Sequence, residues 1–353
     1  MRSMATTWRT ALLLVLSLAL PGTLRAQGNP FASGWTLTAD GSTLGFQSVK
    51  NDTKVEFSSF ATFSGTISEA GDVEVKVALD SVDTKIDLRN VRMRFLFFET
   101  FKFPEAIITA HIDPALIADL PTRRRMTITM PYTLDLHGVK MERTTDVSIT
   151  LITNDLVAVA SVGAIPVATA DFNLDPGITK LQEAAKVKIV PTGSITFDWL
   201  FQRVGTSGTP ALAATPAVEP ATTALETTGN FDAEACKGRF EILSNAGNIN
   251  FRTGSARLDV ADSAILDNLF DIVSRCPAMR LEIGGHTDDA GSDATNQALS
   301  EKRAASVIGY LVAKGIPTDR MAPRGYGEAA PLVANDSAEN RARNRRIEFK
   351  VIN

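Results

Sequence analysis

The sequence predicts two domains, an N-terminal antiparallel β-barrel and a C-terminal α+β sandwich of two layers. The chain has 353 residues, which exceeds the size of one ordinary domain. A stretch rich in Ala, Thr and Pro at 204–230 contains no aromatic residue and is typical of an extended linker. Apolar residues recur with period two before this stretch, whereas strand-like and helix-like periods alternate after it.

Residues 1–26 predict a secretory signal peptide. Arg2 and Arg9 give the segment a basic start, and the apolar run from Ala11 to Leu20 ends at Pro21. This run is much shorter than the roughly twenty residues that span a bilayer. A short membrane anchor is the alternative. Export of the mature chain is therefore expected.

The overall composition excludes several classes of function. The net charge of −4 argues against a nucleic-acid partner and against binding to an anionic membrane surface. The three histidines are scattered, and no Cys/His group has the spacing of metal ligands. We therefore expect neither a metal site nor a catalytic set.

Residues 30–203 predict the barrel. Apolar and polar residues alternate in DVEVKVALD and RMTITMPYTLDL, and again at 147–151 and 187–189. Turn signals separate these segments, so they are expected to be short antiparallel strands. Many such strands in one domain favour a barrel or a sandwich, and a closed barrel can keep a hollow interior for a ligand.

A phenylalanine-rich segment, LRNVRMRFLFFETFKFPEA, interrupts this alternation. Four of its aromatic residues are candidates for the lining of an apolar pocket or for the cap of a barrel end: Phe95, Phe97, Phe98 and Phe101. Simple core packing is the alternative, because aromatic clusters usually serve packing. The arginines in the same segment are expected on a solvated face or in local ion pairs.

Residues 35–201 resemble the YceI family. The resemblance rests on Trp35-x-Leu with GSTLGFQSVK, on DSVDTKIDLRNVRMRFLFFE, on a later Phe-Pro, on LDLHGVKMERTTDVSI and on Phe172. Members of this family are similar to lipocalins, so the resemblance implies a lipocalin-like barrel with an apolar cavity for an isoprenoid or quinone-like lipid. The family often has Arg-Asp-x-His where this chain has Arg89-Asn90-Val91-Arg92. This departure does not affect the fold prediction. Because these residues differ from the family pattern, the polar contacts that the family makes there are not expected in this chain.

Residues 231–353 predict the α+β sandwich. NINF places Ile249 and Phe251 on one face of a strand, and DSAILDNLFDIVSRC has apolar residues at helical spacing. MRLEIGG predicts a second strand, and ALSEKRAASVIGYLVAKG predicts a second helix that ends at Gly315. RMAPRGYGE and NRRIEFKVI predict two further strands. Strands and helices in alternation indicate two packed layers.

The segment GHTDDAGSDATNQALSEKRAASV contains a candidate binding pair, Asp288 in a loop and Arg303 in a helix. On a helical wheel Asn296, Leu299, Arg303 and Val307 fall within about 80° of one another, so Arg303 lies beside the apolar stripe. A charge there needs a partner. The guanidinium can grip a carboxylate and the aspartate can accept from an ammonium group, which suits the zwitterionic end of an amino acid. Pairing of Asp288 with Arg303 is the alternative.

Five stretches resemble the OmpA-like peptidoglycan-binding domain shared with Pal and MotB: INFRTGSARL, GHTDDAGSDATNQALSEKRAASVIGYL, GIPTDR, GYGEAAP and ENRARNRRIEF. In that family the matching acid and arginine, here Asp288 and Arg303, hold the diaminopimelate of the peptidoglycan stem peptide. The resemblance implies a further set of peptidoglycan-binding residues: Thr287, Gly291, Asn296, Leu299 and Arg345. It also implies binding without hydrolysis.

Cys236 and Cys276, the two cysteines of the chain, both follow the linker. Two cysteines in one exported domain usually pair, so a disulfide is expected, and two buried thiols are the alternative.

Together these features predict a non-enzymatic, exported protein of the periplasm that is associated with the cell wall and with the outer membrane. Its expected partners are peptidoglycan and a polyprenyl lipid, and no other cofactor is implied. The first alternative is an outer-membrane β-barrel with the same C-terminal module, although three Trp and three Tyr are few for aromatic girdles. The second alternative is an enzyme that acts on lipid or cell wall.

Overall fold

The computed structural model describes residues 29–205 and 229–352, apart from 247–248, 250, 252–253 and 260–261. The predicted signal peptide at 1–26 and all but the ends of the predicted linker at 204–230 lie outside these residues. Among the helices within the described ranges, none combines the length and the apolarity needed to cross a membrane.

The first domain is an antiparallel β-barrel. Its strands are β1 (Trp35–Lys50), β2 (Lys54–Phe60), β3 (Phe63–Ile67), β4 (Asp72–Ala78), β5 (Val82–Asp83), β6 (Glu105–His111), β7 (Arg125–Leu136), β8 (Val139–Thr153), β9 (Leu156–Ser161), β10 (Ile165–Ala168) and β11 (Thr192–Arg203). Eight of these close into a ring in the order β1-β3-β4-β6-β7-β8-β9-β11, because β11 pairs back with β1. The predicted lipocalin-like barrel is therefore confirmed.

The alternation of buried and exposed side chains along each strand explains the register in which neighbouring strands pair. In β7, Ile128, Met130 and Leu134 are buried on the inner face, whereas Thr127 and Thr129 are exposed on the outer face. A slip by one residue would turn the apolar set outward, so the burial pattern fixes the register. The strand predicted at 187–189 is wrong: within the described residues this segment makes one bridge, between Lys50 and Ile189.

Three helices interrupt the barrel strands: α1 (Asp87–Arg92), α2 (Leu120–Arg123) and α3 (Asp175–Ala185). Helix α1 continues into a π-helical turn at Met93–Phe97, and α3 packs against that turn. Gly177 permits the close approach, since a Cβ there would lie 2.9 Å from the Phe97 Cα atom. Together α1, the π-helical turn and α3 cover part of the barrel interior.

The second domain is a two-layer α+β sandwich, as predicted. Its elements are α4 (Ala233–Ala246), α5 (Ser263–Arg275), β12 (Arg280–His286), α6 (Asp293–Ala313), β13 (Met321–Gly327), α7 (Ala338–Asn344) and β14 (Ile347–Ile352). The sheet has the order β13-β12-β14, in which β12 is parallel to β13 and antiparallel to β14. The strand predicted at Ile249 and Phe251 lies partly outside the described residues, and Phe251 within it makes a bridge with Leu258.

The predicted disulfide is confirmed. Cys236 in α4 is bonded to Cys276, which directly follows α5. Both residues are 1% exposed, so the bond lies in the core and joins two helices of the same domain.

Candidate functional site

Helix α6 lies directly on strand β12, and this contact positions the site. Gly285 in β12 makes the contact possible, because a Cβ there would lie 2.1 Å from the carbonyl oxygen of Ser300 in α6. The loop between the two elements carries Asp288, and Ser292 caps the helix by accepting a hydrogen bond from the Thr295 amide. The loop acid and the helix arginine are thereby held at the same edge of the domain.

Arg303 is a nearly buried cation that has no carboxylate partner in the part of the chain that the structure describes. Its side chain is on the buried face of α6, and the residue is 5% exposed. Its Nε atom donates to the Ser255 carbonyl oxygen over 3.1 Å, and its guanidinium carbon lies 5.1 Å from the centre of the Phe251 ring. Within the described residues its terminal nitrogens make no hydrogen bond and no ion pair.

The electrostatic surroundings of Arg303 leave room for an anion. Burial lowers the pKa of Arg303, and the neighbouring Arg345 adds to the lowering, whereas Asp288 opposes it. Arg303 opens into a cleft of about 430 Å³ that Arg345 also lines. An anionic group in this cleft would find an unpaired guanidinium fork, which is the geometry that carboxylates fit best.

Asp288 is paired with Arg345. Its Oδ2 atom lies 2.6 Å from Nη1 of Arg345, and its Oδ1 atom accepts from the Ala290 amide over 3.2 Å. The pair between Asp288 and Arg303 that the sequence left open is not formed within ion-pair distance. Asp288 is 9% exposed, and it is not among the residues that line the cleft into which Arg303 opens.

The remaining residues implied by the family resemblance lie around this pair. Asn296 is buried, and its side-chain amide donates to the Asp288 carbonyl oxygen over 3.3 Å, which holds the loop against the helix. Thr287 is buried, and its hydroxyl has no hydrogen-bond partner among the described residues. Gly291 has φ +117° at an exposed turn, and Leu299 is half-buried on α6.

A second cluster beside the site was not singled out by the sequence. His286 is 2% exposed, its ring stacks on Tyr326 at 4.8 Å, and its Nε2 atom lies 3.4 Å from Glu348. Arg346 binds the same carboxylate, with Nε donating over 2.8 Å. His286, followed by Arg346, lowers the pKa of Glu348 to about 2, although burial opposes the shift. Arg346 is thus engaged within the domain, in contrast to Arg303.

The barrel encloses an apolar cavity of about 580 Å³. Its lining is mostly aliphatic and aromatic and includes Phe97 and Phe98 from the candidate set. The other two candidates lie outside the lining, and Phe95 and Phe101 stack on each other with ring centres 6.4 Å apart. The helical turn at 93–97 sends Phe95 and Phe97 to different faces, which period-two reasoning could not anticipate.

A small cluster of charged side chains lies within the otherwise apolar lining of the cavity. Glu56 is bound by Lys50 at 2.6 Å and by Arg89 at 2.9 Å, so the expected local ion pair is present for Arg89. Arg92, one helical turn from Arg89, also lines the cavity, and its Nε atom has no partner among the described residues.

Comparison with known proteins agrees with this division of the chain. A family model for the YceI-like domain matches residues 35–200, and a model for the OmpA family matches residues 250–345. The peptidoglycan-binding protein ArfA of Mycobacterium bovis is 42% identical over 105 residues, which are 30% of this chain and 32% of that protein. The chain therefore spans about a third of the length of this curated relative.

Two solved structures cover the domains separately. A polyisoprenoid-binding domain from Saccharophagus degradans is 30% identical, with a TM-score of 0.45, over 48% of this chain and 98% of its own. A putative MotB-like protein from Desulfovibrio vulgaris is 35% identical, with a TM-score of 0.27, over 29% of this chain and 67% of its own. By the family models, residues 35–200 match the YceI-like domain and residues 250–345 match the OmpA family.

Proposed function

We propose that the C-terminal domain binds peptidoglycan non-covalently, with Arg303 holding a carboxylate of diaminopimelate in the stem peptide. One observation carries the proposal: a 5% exposed guanidinium that opens into a cleft and lacks a carboxylate partner among the described residues. Leaving such a charge uncompensated is costly in a purely structural role. A ligand carboxylate would supply the missing partner.

Diaminopimelate suits the site because its side chain ends in a second amino-acid centre. Its carboxylate can take two parallel hydrogen bonds from the Arg303 fork. Its ammonium group can approach Asp288, whose Oδ1 atom accepts only the Ala290 amide among the described residues. In this arrangement Arg345, which lines the cleft, also orients Asp288.

The membership of this domain in the OmpA family and the name of the matching relative, a peptidoglycan-binding protein, support the proposal. We place the protein in the cell envelope, exported by the predicted signal peptide, where peptidoglycan is available. Both domains are proposed to bind and not to catalyse, and the described site offers no paired nucleophile and base.

We propose that the barrel binds an isoprenoid or quinone-like lipid. The supporting observation is the apolar cavity of about 580 Å³, which lies within the range of ligand pockets. Each buried CH₂ group would contribute about 0.8 kcal/mol, so affinity should rise with chain length. Mass spectrometry of an organic extract of the purified protein tests this, and an extract that contains no lipid, together with no uptake from detergent, would contradict it.

Sedimentation of the full chain with purified sacculi tests the peptidoglycan proposal. Arg303→Ala should weaken binding at least tenfold, since a charge-assisted contact is worth about 1.5–3 kcal/mol. Arg324→Ala is the matched control, because Arg324 on β13 is exposed and is paired with Glu282 of the neighbouring strand β12. Free meso-diaminopimelate should compete, whereas lysine should not. Equal pelleting of the folded Arg303 variant and the control would contradict the proposal.

A further inference from the structure

The cleft into which Arg303 opens has walls from both domains. Arg303, Arg343 and Arg345 line it from the C-terminal domain. The opposite wall is helix α3 of the barrel domain, which contributes Lys180 and Glu183. The candidate site for a cell-wall ligand is therefore not confined to the domain that carries the binding motif.

A buried contact holds the two domains together next to this cleft. Arg239 in α4 is 0% exposed, and its Nη2 atom lies 2.6 Å from Asp87 at the start of α1. The neighbouring Gly238 shows how closely α4 lies against α1, since a Cβ there would be 2.8 Å from a methyl carbon of Leu88. Buried arginines are seldom left without a partner, so this pair fixes how α4 meets the barrel domain.

Helix α3 has two different faces. Ile178 and Leu181 line the apolar cavity of the barrel, whereas Lys180 and Glu183 line the cleft. The helical period places Ile178 and Leu181 on one side of α3 and Lys180 and Glu183 on the opposite side, so a single helix separates the cavity from the cleft. The polar side is thereby held in place by apolar packing on the other side.

The charges in the cleft are incompletely paired. The Nζ atom of Lys180 lies 3.8 Å from Glu99, which also contacts Lys102 and His137. Burial lowers the pKa of Lys180 and Glu99 opposes this shift, whereas the positive charges of Lys102 and of Arg343 across the cleft add to the lowering.

Neither Arg343 nor Glu183 makes an ion pair among the residues that the structure describes. The cleft thus offers unpaired charges of both signs from two domains. A ligand with several carboxylates and an ammonium group would neutralise them.

We propose that the cell-wall ligand is bound between the two domains, with Lys180 and Glu183 of the barrel domain forming the second wall of its site. This inference rests on the proposed peptidoglycan binding and adds the barrel domain to it. The ligand class is a stem peptide with more than one carboxylate, of which diaminopimelate supplies one to Arg303 and another group reaches Lys180.

Titration calorimetry of the full chain with a defined tripeptide, L-alanyl-γ-D-glutamyl-meso-diaminopimelate, tests the inference. Lys180→Glu should weaken binding on the order of tenfold, and Lys180→Ala should weaken it by a smaller factor, since each charged contact contributes measurably. Lys140→Glu is the matched control, because Lys140 is 74% exposed on the β7–β8 hairpin and is not part of the cleft lining. Circular dichroism and thermal melting establish that each variant is folded.

The outcomes separate this inference from the proposal on which it rests. If Arg303→Ala loses binding while both Lys180 variants bind like the control, the site is confined to the C-terminal domain and the two-domain site is wrong. If Arg303→Ala binds like the parent chain, peptidoglycan binding at this cleft is wrong, and the two-domain site falls with it. Weaker binding in both Lys180 variants, with the control unchanged, supports the two-domain site.

Discussion

Replacement of Arg303 by methionine should separate binding from stability. Methionine has a similar length and fills the same buried space without a charge. The change removes the hydrogen bond to the Ser255 carbonyl oxygen and the contact with Phe251. These are worth about 1.5–3 kcal/mol and, for a desolvated cation on a ring, about 2 kcal/mol, respectively.

The same change also removes the cost of keeping an uncompensated guanidinium at 5% exposure. That desolvation cost amounts to several kcal/mol per ion, which offsets the lost contacts. The free energy of unfolding of Arg303→Met should therefore be within about 1 kcal/mol of the parent value, or higher. Peptidoglycan binding should fall at least tenfold, because one charge-assisted contact of about 1.5 kcal/mol already accounts for that factor.

Differential scanning calorimetry of the full chain measures stability, and sacculus sedimentation measures binding. Arg320→Met is the matched control, because Arg320 donates to the carbonyl oxygens of Val273, Cys276 and Met279 and so has a structural role. The control should lose stability and keep its binding. A variant at 303 that is destabilised by about 3 kcal/mol or more and still binds sacculi would show that the arginine is structural and would refute this reasoning.

Three further results are expected. Reduction of the Cys236–Cys276 bond, which closes a separation of 40 residues, should lower stability by about 4 kcal/mol in the chain-entropy model, and a calorimetric transition unchanged by reductant would contradict this. Ala110→Trp, which places an indole in the barrel cavity, should reduce co-purified lipid roughly tenfold if two buried CH₂ groups are displaced, as measured by mass spectrometry. Burial would raise the pKa of Glu99, but His137 and two lysines lower it to about 2. The ionised Glu99 carboxylate therefore stabilises the fold fully above about pH 4.5, and this stabilisation is lost as the pH falls towards 2. Acid unfolding curves of Glu99→Gln should accordingly show a smaller loss of stability over that range than the parent chain.

Local patterns were sufficient to predict most of the two folds. Alternation in RMTITMPYTLDL predicts a strand that coincides with β7 (Arg125–Leu136), because one face must be buried and the other solvated. The segment at 187–189 shows the limit of this reasoning. Its apolar residues alternate, yet within the described residues it makes one bridge, between Lys50 and Ile189, since pairing depends on a neighbour that the local pattern does not specify.

The candidate site was only partly accessible from the sequence. Spacing on the helix correctly predicts that Arg303 lies on a buried face. The pairing of Asp288 with Arg345 joins residues 57 positions apart, and no local periodicity indicates it. The contribution of α3 to the cleft depends on how two domains meet, which requires the folded chain.

The disulfide determines at which contact the two domains can separate. Because Cys236 ties α4 to the residue that follows α5, α4 must travel with the C-terminal domain in any relative movement. If the domains separate, the contact that opens is the one between α4 and α1, where Arg239 meets Asp87. A pulling force on the C-terminal domain would therefore load this ion pair and the neighbouring contact between Gly238 and Leu88, while the disulfide keeps α4 on its own domain.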